Sequence, residues 1–380
     1  MRLFIPTLLA APALAADKPY STWMADSLIT RGVAPTRWYT EATFYRSLES
    51  LTNYTSQSTY LTHLTTSLST VFPASGIPTN WDYTDHQLDH IRVGSTLLFL
   101  ATRTADPRYK LAADFLHTQL VQHQKRTVSG GFWHKDPKYP NQMWLDGLYM
   151  AAPFYAAYTA LYQPGNATAW DDILLQFQLV EQHCRDPVTK MLKHGYDESG
   201  KAVWAEKGTG ASPHVWIRAQ GWYLMALVDV LEWWPREHKG YGILGGYYLE
   251  LVEALRREQD ASGGWWLVMD ERYKGQKGNY IESSGTAMYT YGLLKGVRMG
   301  LVGQEAVETA KKAYGLMADR FVARNGTGGT LNWEGTVRVG SLDGRGDYQY
   351  YIGVPILENS LIGVGPFIMA SVEMERASLG

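Results

Sequence analysis

Apolar residues return every three to four positions over most of this chain, and the period-two alternation of strands is scarce. The pattern predicts helices over 91–101 and 109–120, separated by Ala105-Asp-Pro107, and over 143–162, ended by Gln163-Pro-Gly165. Further helices are predicted over 173–184 (stopped at Asp186-Pro187), 222–234 (stopped at Pro235) and 247–258, which runs to Ser262-Gly-Gly264. A pair over 286–299 and 305–321 follows, and 361–374 reads as a last helix. The best strand candidate is the short piece 265–269.

The helices therefore come as hairpins joined by turns. Landmarks recur along them: Asp89 ahead of one helix, Asp146 ahead of another, Arg218 and Trp222 at a third, Ser284-Gly285 at a fourth. Intervals of roughly 60 to 70 residues fit six helix–loop–helix units in the chain. Repeated hairpins that bury one face against their neighbours build either an open solenoid or a closed toroid. An open solenoid shows a tighter repeat and capping units. The expectation is an all-α, single-domain (α/α)6 barrel over residues 17–380, with its site at the end that carries the Gly- and Trp-rich loops.

A chain that is 45% hydrophobic and 19% charged is an ordinary globular one, and no linker, charge block or low-complexity tract divides it. Its net charge of −2 argues against a nucleic-acid partner, which calls for a basic face. No apolar run is long enough to span a membrane. Met1-Arg2 is followed by an uncharged stretch to Ala16 that contains the small-x-small site Ala13-Leu-Ala15, so residues 1–16 read as a signal peptide and the protein as secreted and extracellular. Pro6 and Pro12 weaken the rival reading of a first core helix. Sequons at Asn53, Asn166 and Asn325 suit a secreted glycoprotein. Cys184 is the only cysteine, which removes an intrachain disulfide and disfavours a cysteine nucleophile or a Cys-based zinc site.

Asp146 is the one charged residue in the run from Met143 to Tyr155. Removing an unpaired carboxylate from water costs several kcal/mol unless the group keeps its proton, so such a residue either has a use for that proton or caps a helix starting at Gly147. Gly130-Gly-Phe-Trp-His134 and Trp216-Ile-Arg-Ala-Gln-Gly-Trp222 add aromatic planes and cationic donors, as a pocket for an acidic sugar would. Fourteen Trp and 25 Tyr exceed what a core alone requires. Asp89 is a second candidate carboxylate, or another cap. Arg218, between Trp216 and Trp222, suits a uronate carboxylate or an interhelical ion pair. His134 and His194 are substrate contacts or structural donors. Trp144 and Trp222 are stacking faces or core plugs, and His214 and Tyr39 are candidates of the same kind. No zinc spacing or phosphate loop is present, and no metal or other cofactor is expected.

Leu88-Asp-His-Ile-Arg-Val-Gly94, Gly130-Gly-Phe-Trp-His134, Asn141-Gln-Met-Trp-Leu-Asp-Gly147, His194-Gly-Tyr-Asp197, Ser212 to Trp222 and Glu282-Ser-Ser-Gly-Thr-Ala-Met288 occur in this order. Together they resemble the unsaturated rhamnogalacturonyl hydrolases of glycoside hydrolase family 105, which are related to the family 88 unsaturated glucuronyl hydrolases. The matches run from about residue 37 to 375, and Gly363-Val-Gly-Pro-Phe367 is similar as well. Glu358-Asn-Ser360 departs from the acidic pattern expected in the closing loop.

The resemblance implies an (α/α)6 barrel acting on oligosaccharides left by a pectin lyase, whose terminal uronic acid carries a C4=C5 double bond. Protonation at C4 gives an oxocarbenium ion at C5, water adds there, and the hemiketal collapses to release the neighbouring sugar. This needs one positioned acid and a base for water, and the resemblance puts Asp146 in the acid role. Burial among Trp144, Leu145 and Tyr149, with Asp89 close by, is expected to raise its pKa, against the pull of a helix N-terminus. It implies substrate contacts from Tyr39, His134, Trp144, His194, Trp216, Arg218 and Trp222. Three alternatives stand beside it: an unsaturated glucuronyl hydrolase acting on other polysaccharide fragments, an inverting glycosidase using Asp89 and Asp146 on saturated glycosides, and a non-catalytic carbohydrate-binding protein. Aglycone preference and oligomeric state leave no mark in the sequence.

Overall fold

A helix that is apolar on all sides belongs inside a second layer of structure. In the computed structural model, which describes residues 18–379 apart from 80 and 326–328, this principle sorts the helices into two rings. The predicted signal peptide over residues 1–16 lies outside the described residues. The inner ring comprises α2 (Tyr39–Thr55), α4 (Gly94–Arg103), α6 (Leu145–Tyr162), α8 (Ile217–Leu231), α10 (Ser283–Arg298) and α13 (Leu361–Leu379), where every residue of α8 is buried. Each inner helix packs on the next, and α13 packs back on α2, so the ring is closed. The outer partners are α3 (Ser58–Val71) on α2, α5 (Arg108–Thr118) on α4, α7 (Ala167–Cys184) on α6, α9 (Lys239–Glu258) on α8 and α11 (Glu305–Arg320) on α10. The sixth pair joins the two ends of the chain: α1 (Tyr20–Arg31) packs on α13. This is the expected (α/α)6 barrel. A short helix, α12 (Tyr348–Gly353), sits in the loop layer.

Several local expectations are corrected. Residues 265–269 form no strand; Val268 and Trp266 make isolated bridges to Trp216 and Ile281, so each residue finds a different partner and no ladder develops. Asp89 does not open a helix: it lies in a 3-10 turn, Leu88–His90, and α4 begins later. The helix expected over 143–162 is present as α6 but starts at Leu145, and the residues just before it form a strand, β1 (Gln142–Trp144), paired antiparallel with β2 (Gly195–Asp197). Trp144 occupies the N-cap of α6 with no side-chain cap bond, so Asp146 is not a cap. The three sequon asparagines are exposed.

The inner helices all run the same way. Their C-terminal halves line a cavity of about 400 Å³ at the end opposite the loops, walled by Arg46, Glu49, Asp229, Glu232, Lys295, Arg298 and Glu373. Cations belong where helix C-termini gather. Lys295 Nζ lies 2.6 Å from Asp229 Oδ1, both almost fully buried, and 2.8 Å from Glu232 Oε2. Burial pushes the Asp229 carboxyl up, but Lys295 and Arg46 outweigh this and hold it well below the usual carboxylate range. The stability it contributes is therefore present above the unfolded-chain value near ~4 and lost as pH falls through the folded value. Lys295→Met should cost about 3–5 kcal/mol in urea unfolding at pH 7, because it strips a buried carboxylate of its nearest cation. A loss under ~1 kcal/mol, the surface-pair range, would show that Arg46 and Tyr291 alone satisfy Asp229.

Candidate active site

At the loop end, α2, α6 and α8 open onto a cavity of about 120 Å³. Its wall includes Tyr39, Asp89, His134, Trp144, Asp146, Trp216, Arg218 and Trp222, eight of the ten candidate residues. Asp89 and Asp146 thus share one cavity, although 57 positions separate them in Asp89 and Asp146 numbering. Two close approaches make this possible. A Cβ on Gly147 would lie 2.9 Å from Leu88 Cδ1 and 3.2 Å from His134 Nδ1, so only glycine lets the Asp89 turn and His134 settle on the head of α6. A Cβ on Gly195 would meet the Met143 carbonyl oxygen at 2.7 Å, and its absence lets β2 lie against β1. That pairing places His194 beside Asp146, and the Leu145 amide donates to the His194 carbonyl at 3.0 Å.

Asp146 is the second residue of α6, with its side chain 14% exposed. Its Oδ2 is 3.2 Å from His194 Nε2, yet the alignment is too poor for a hydrogen bond, and both atoms are buried without a partner. Burial raises the Asp146 carboxyl, but His194 and then His134 outweigh it and hold the carboxyl below its ordinary range. The expected rise is therefore corrected for the substrate-free site. Asp89 does not raise it either, because its carboxylate is paired with Lys135 Nζ at 2.6 Å. His134 Nε2 is 3.9 Å from Asp89 Oδ1, and its ring stacks on Trp144 at 4.4 Å and 18°. Burial pushes His134 down to about 4, so it is a neutral imidazole at neutral pH, with an unpartnered Nδ1.

The aromatic wall is rigid. Trp222 stacks on Tyr149 at 5.0 Å and 22° and meets Tyr39 edge-on at 6.5 Å. Burial, followed by the Asp89 charge, raises the Tyr39 phenol well above its usual value, so it is a neutral hydroxyl. Arg218 lies over the Trp216 ring at 4.8 Å. Its fork is not free, as a dedicated carboxylate clamp would be: Nη1 and Nη2 donate to the Val337 carbonyl at 2.8 and 2.7 Å, Nη2 also to the Arg338 carbonyl, and Nη1 to Ser284 Oγ at 3.2 Å. No carboxylate among the described residues stands within ion-pairing distance of this buried cation.

Two predicted contacts are displaced. His194 does not line the cavity; it is fully buried between Trp144 and Trp216, behind Asp146. His214 also stands back from the wall, with Nδ1 at 3.3 Å from Asp270 Oδ1. Conversely, Trp38, Lys135, Tyr139, Met150 and the segment Val339, Gly340 and Ser341 line the cavity without having been singled out. Lys135 had a signal, adjoining the His134 motif; the 339–341 segment had none, since it follows no periodic element. No group of three or more His, Cys, Asp or Glu among the described residues is placed to hold a metal ion.

Comparison with known proteins adds a second line of observation. The model of Glycosyl Hydrolase Family 88 matches residues 19–378. A glycoside hydrolase from family 105 of C. acetobutylicum ATCC 824 superposes with a TM-score of 0.89, at 37% identity over 94% of this chain and 100% of that one. The unsaturated rhamnogalacturonyl hydrolase YesR of Bacillus subtilis is 27% identical over 204 residues, 53% of this chain and 55% of that protein. The unsaturated glucuronyl hydrolase of Bacillus sp. GL1 shares the fold, with a TM-score of 0.65 at 13% identity.

Proposed function

The chain belongs to glycosyl hydrolase family 88 and is a glycoside hydrolase of the family 105 kind, and from that premise we propose that Asp146 protonates a 4,5-unsaturated uronic acid. The substrate is a lyase-cut pectin fragment, of the rhamnogalacturonan class that the relative YesR is named for. One observation carries this: of the two carboxyls in the cavity, Asp89 is tied to Lys135 while Asp146 has an oxygen without a hydrogen-bond partner. A single carboxyl is left to handle a proton. An inverting glycosidase needs two working carboxyls astride the glycosidic bond.

The electrostatics suit an acidic sugar. The N-termini of α2, α6 and α8, Arg218 and Lys135 make the cavity receptive to an anion. When the uronate carboxylate enters, its like charge raises the Asp146 pKa and opposes the depression by the histidines, so the acid is loaded by the substrate that needs it. Asp146 then gives its proton to C4, C5 becomes an oxocarbenium centre, and water attacks C5 while passing a proton to the Asp146 carboxylate. The hemiketal opens and the aglycone leaves with the original glycosidic oxygen. The tryptophan faces hold the sugar plane. On this reading the signal peptide over 1–16 delivers the enzyme to extracellular pectin debris.

Incubation with lyase-generated rhamnogalacturonan fragments in heavy-oxygen water tests the proposal. The ultraviolet absorbance of the conjugated C4=C5 bond should disappear, with label on the uronate-derived product and none on the released sugar. Label in the hydroxyl of the released sugar, or cleavage of saturated glycosides at a comparable rate, would sink it.

A further inference from the structure

The wall residue Asp146 is backed by a group that never meets the substrate. His194 is buried between Trp144 and Trp216 and presents one nitrogen to each of two polar partners: Nε2 to Asp146 Oδ2 at 3.2 Å, and Nδ1 to the Tyr351 hydroxyl at 2.7 Å. An imidazole can present Nε2–H to Asp146 either as the neutral tautomer with a lone pair on Nδ1, or as the cation with hydrogen on both nitrogens. Tyr351 decides between them. Its side chain is 1% exposed, and His194 is the only hydrogen-bond partner its hydroxyl has among the described residues. The phenol hydrogen must therefore go to Nδ1. If Nδ1 carried a hydrogen of its own, the phenol oxygen would accept it and its own hydrogen would be stranded in a dry pocket.

Nothing else nearby takes that hydrogen. Asp146 and His134 are the ionisable groups facing His194. Around Tyr351 stand His214, whose ring centre is 6.5 Å away, its partner Asp270, and Asp347 and Tyr350 on its own helix α12; none bonds the hydroxyl. Trp216 stacks on the Tyr351 ring at 5.7 Å and 22°, which fixes its direction.

We propose that Tyr351 is a positioning residue that holds His194 as a neutral imidazole whose Nε2–H faces Asp146 Oδ2, so that the transferable proton of Asp146 is carried on Oδ1, away from that hydrogen. The inference rests on the assignment of Asp146 as proton donor. In each turnover the proton leaves Oδ1 for C4 and a proton from water restores it; His194 gains and loses none. Held neutral, His194 lowers the Asp146 carboxyl only through the dipole of its Nε2–H; without Tyr351, Nδ1 is free to take a proton, and the full charge of an imidazolium against Asp146 would hold it as a carboxylate that cannot donate.

Tyr351→Phe tests this with little risk to the fold, since the ring and its stacking on Trp216 are kept. In the variant the high-pH limb of the kcat profile should move down by about one pH unit, the equivalent of one stranded hydroxyl hydrogen. KM should stay near wild type, because Tyr351 does not line the cavity. Nitrogen NMR of histidine-labelled protein should show His194 as the single Nε2–H neutral form in the wild type, and hydrogen on Nδ1 as well in the variant. A uniform loss of kcat at every pH with an unchanged spectrum, or an Nδ1–H form in the wild type, overturns the proposal. The spectrum reads the tautomer whatever Asp146 does, so failure of the acid assignment, seen as activity surviving in Asp146→Asn, is distinguishable from failure of this one.

Discussion

Asp146→Asn is expected to fold and bind fragments like the wild type and to lose at least ~10²–10⁴-fold in kcat, the usual range for removing a positioned acid. The amide has the shape of the carboxylic acid but no proton to place on C4. Folding should survive because Asp146 caps nothing: the N-cap of α6 is Trp144, and Asp146 Oδ2 makes no hydrogen bond that the amide would break. Losing the carboxylate should even relieve the site of one buried charge. Single-turnover kinetics at saturating substrate, beside a melting curve, separates the possibilities. A variant that melts much lower yet turns over normally per folded molecule would make Asp146 a structural residue and remove the mechanism.

The helices of the middle and C-terminal parts were legible because burial writes itself as periodicity. The expected 305–321 matches α11 to within one residue, and 173–184 ends with α7 although it starts six residues inside it. The first three helices were not. In α2 the buried positions include Thr43, Ser47 and Glu49, and in α3 Ser67. Ser and Thr favour turns and caps, so interleaved with Phe44, Leu48 and Leu51 in α2 and with Tyr60, Leu64 and Leu68 in α3 they mask an apolar stripe that is present. Here Thr43 and Ser47 turn their hydroxyls back onto the carbonyls of Tyr39 and Phe44, which satisfies them inside the barrel. Closure of the ring was expected, but its partners were not legible: α13 packing on α2, and α1 on α13, are contacts between the ends of the chain that no local pattern encodes.

The site divides the same way. Residue types that are costly to bury, Asp146, Asp89 and Arg218, stood out because an apolar setting makes a charge conspicuous. Their charges and partners did not. The expected like-charge pair of Asp89 and Asp146 is broken by Lys135, and the two histidines pull Asp146 down rather than up. His194 was noticed as a substrate contact, but the strand pair β1–β2 turns it behind Asp146. Tyr351 sits in a loop helix far along the chain, and only the fold brings it to His194. In all of these the residue was readable and its direction was not, since direction depends on long-range packing.

Arg218 is where that difference has the largest consequence for specificity. Its terminal nitrogens hold the Val337 and Arg338 carbonyls, and its charge meets no carboxylate among the described residues. A buried cation lacking a counter-ion favours any ligand that brings one, and a uronate carboxylate in the cavity would do so. Arg218→Lys keeps the charge and loses the planar fork that serves protein carbonyls and ligand together. The expected result is a rise in KM of roughly 10- to 100-fold with a smaller fall in kcat, because the carboxylate is present in ground and transition states alike. Reducing the substrate carboxyl to an alcohol should hurt the wild type badly and the variant much less. A double cycle of enzyme variant and reduced substrate measures the coupling directly, free of the stability that the carbonyl bonds also supply. If the two losses are independent, Arg218 is an anchor for the 337–338 segment alone, and the carboxylate is held by another group on the wall, for which His134, with its unpartnered Nδ1, is the first to test.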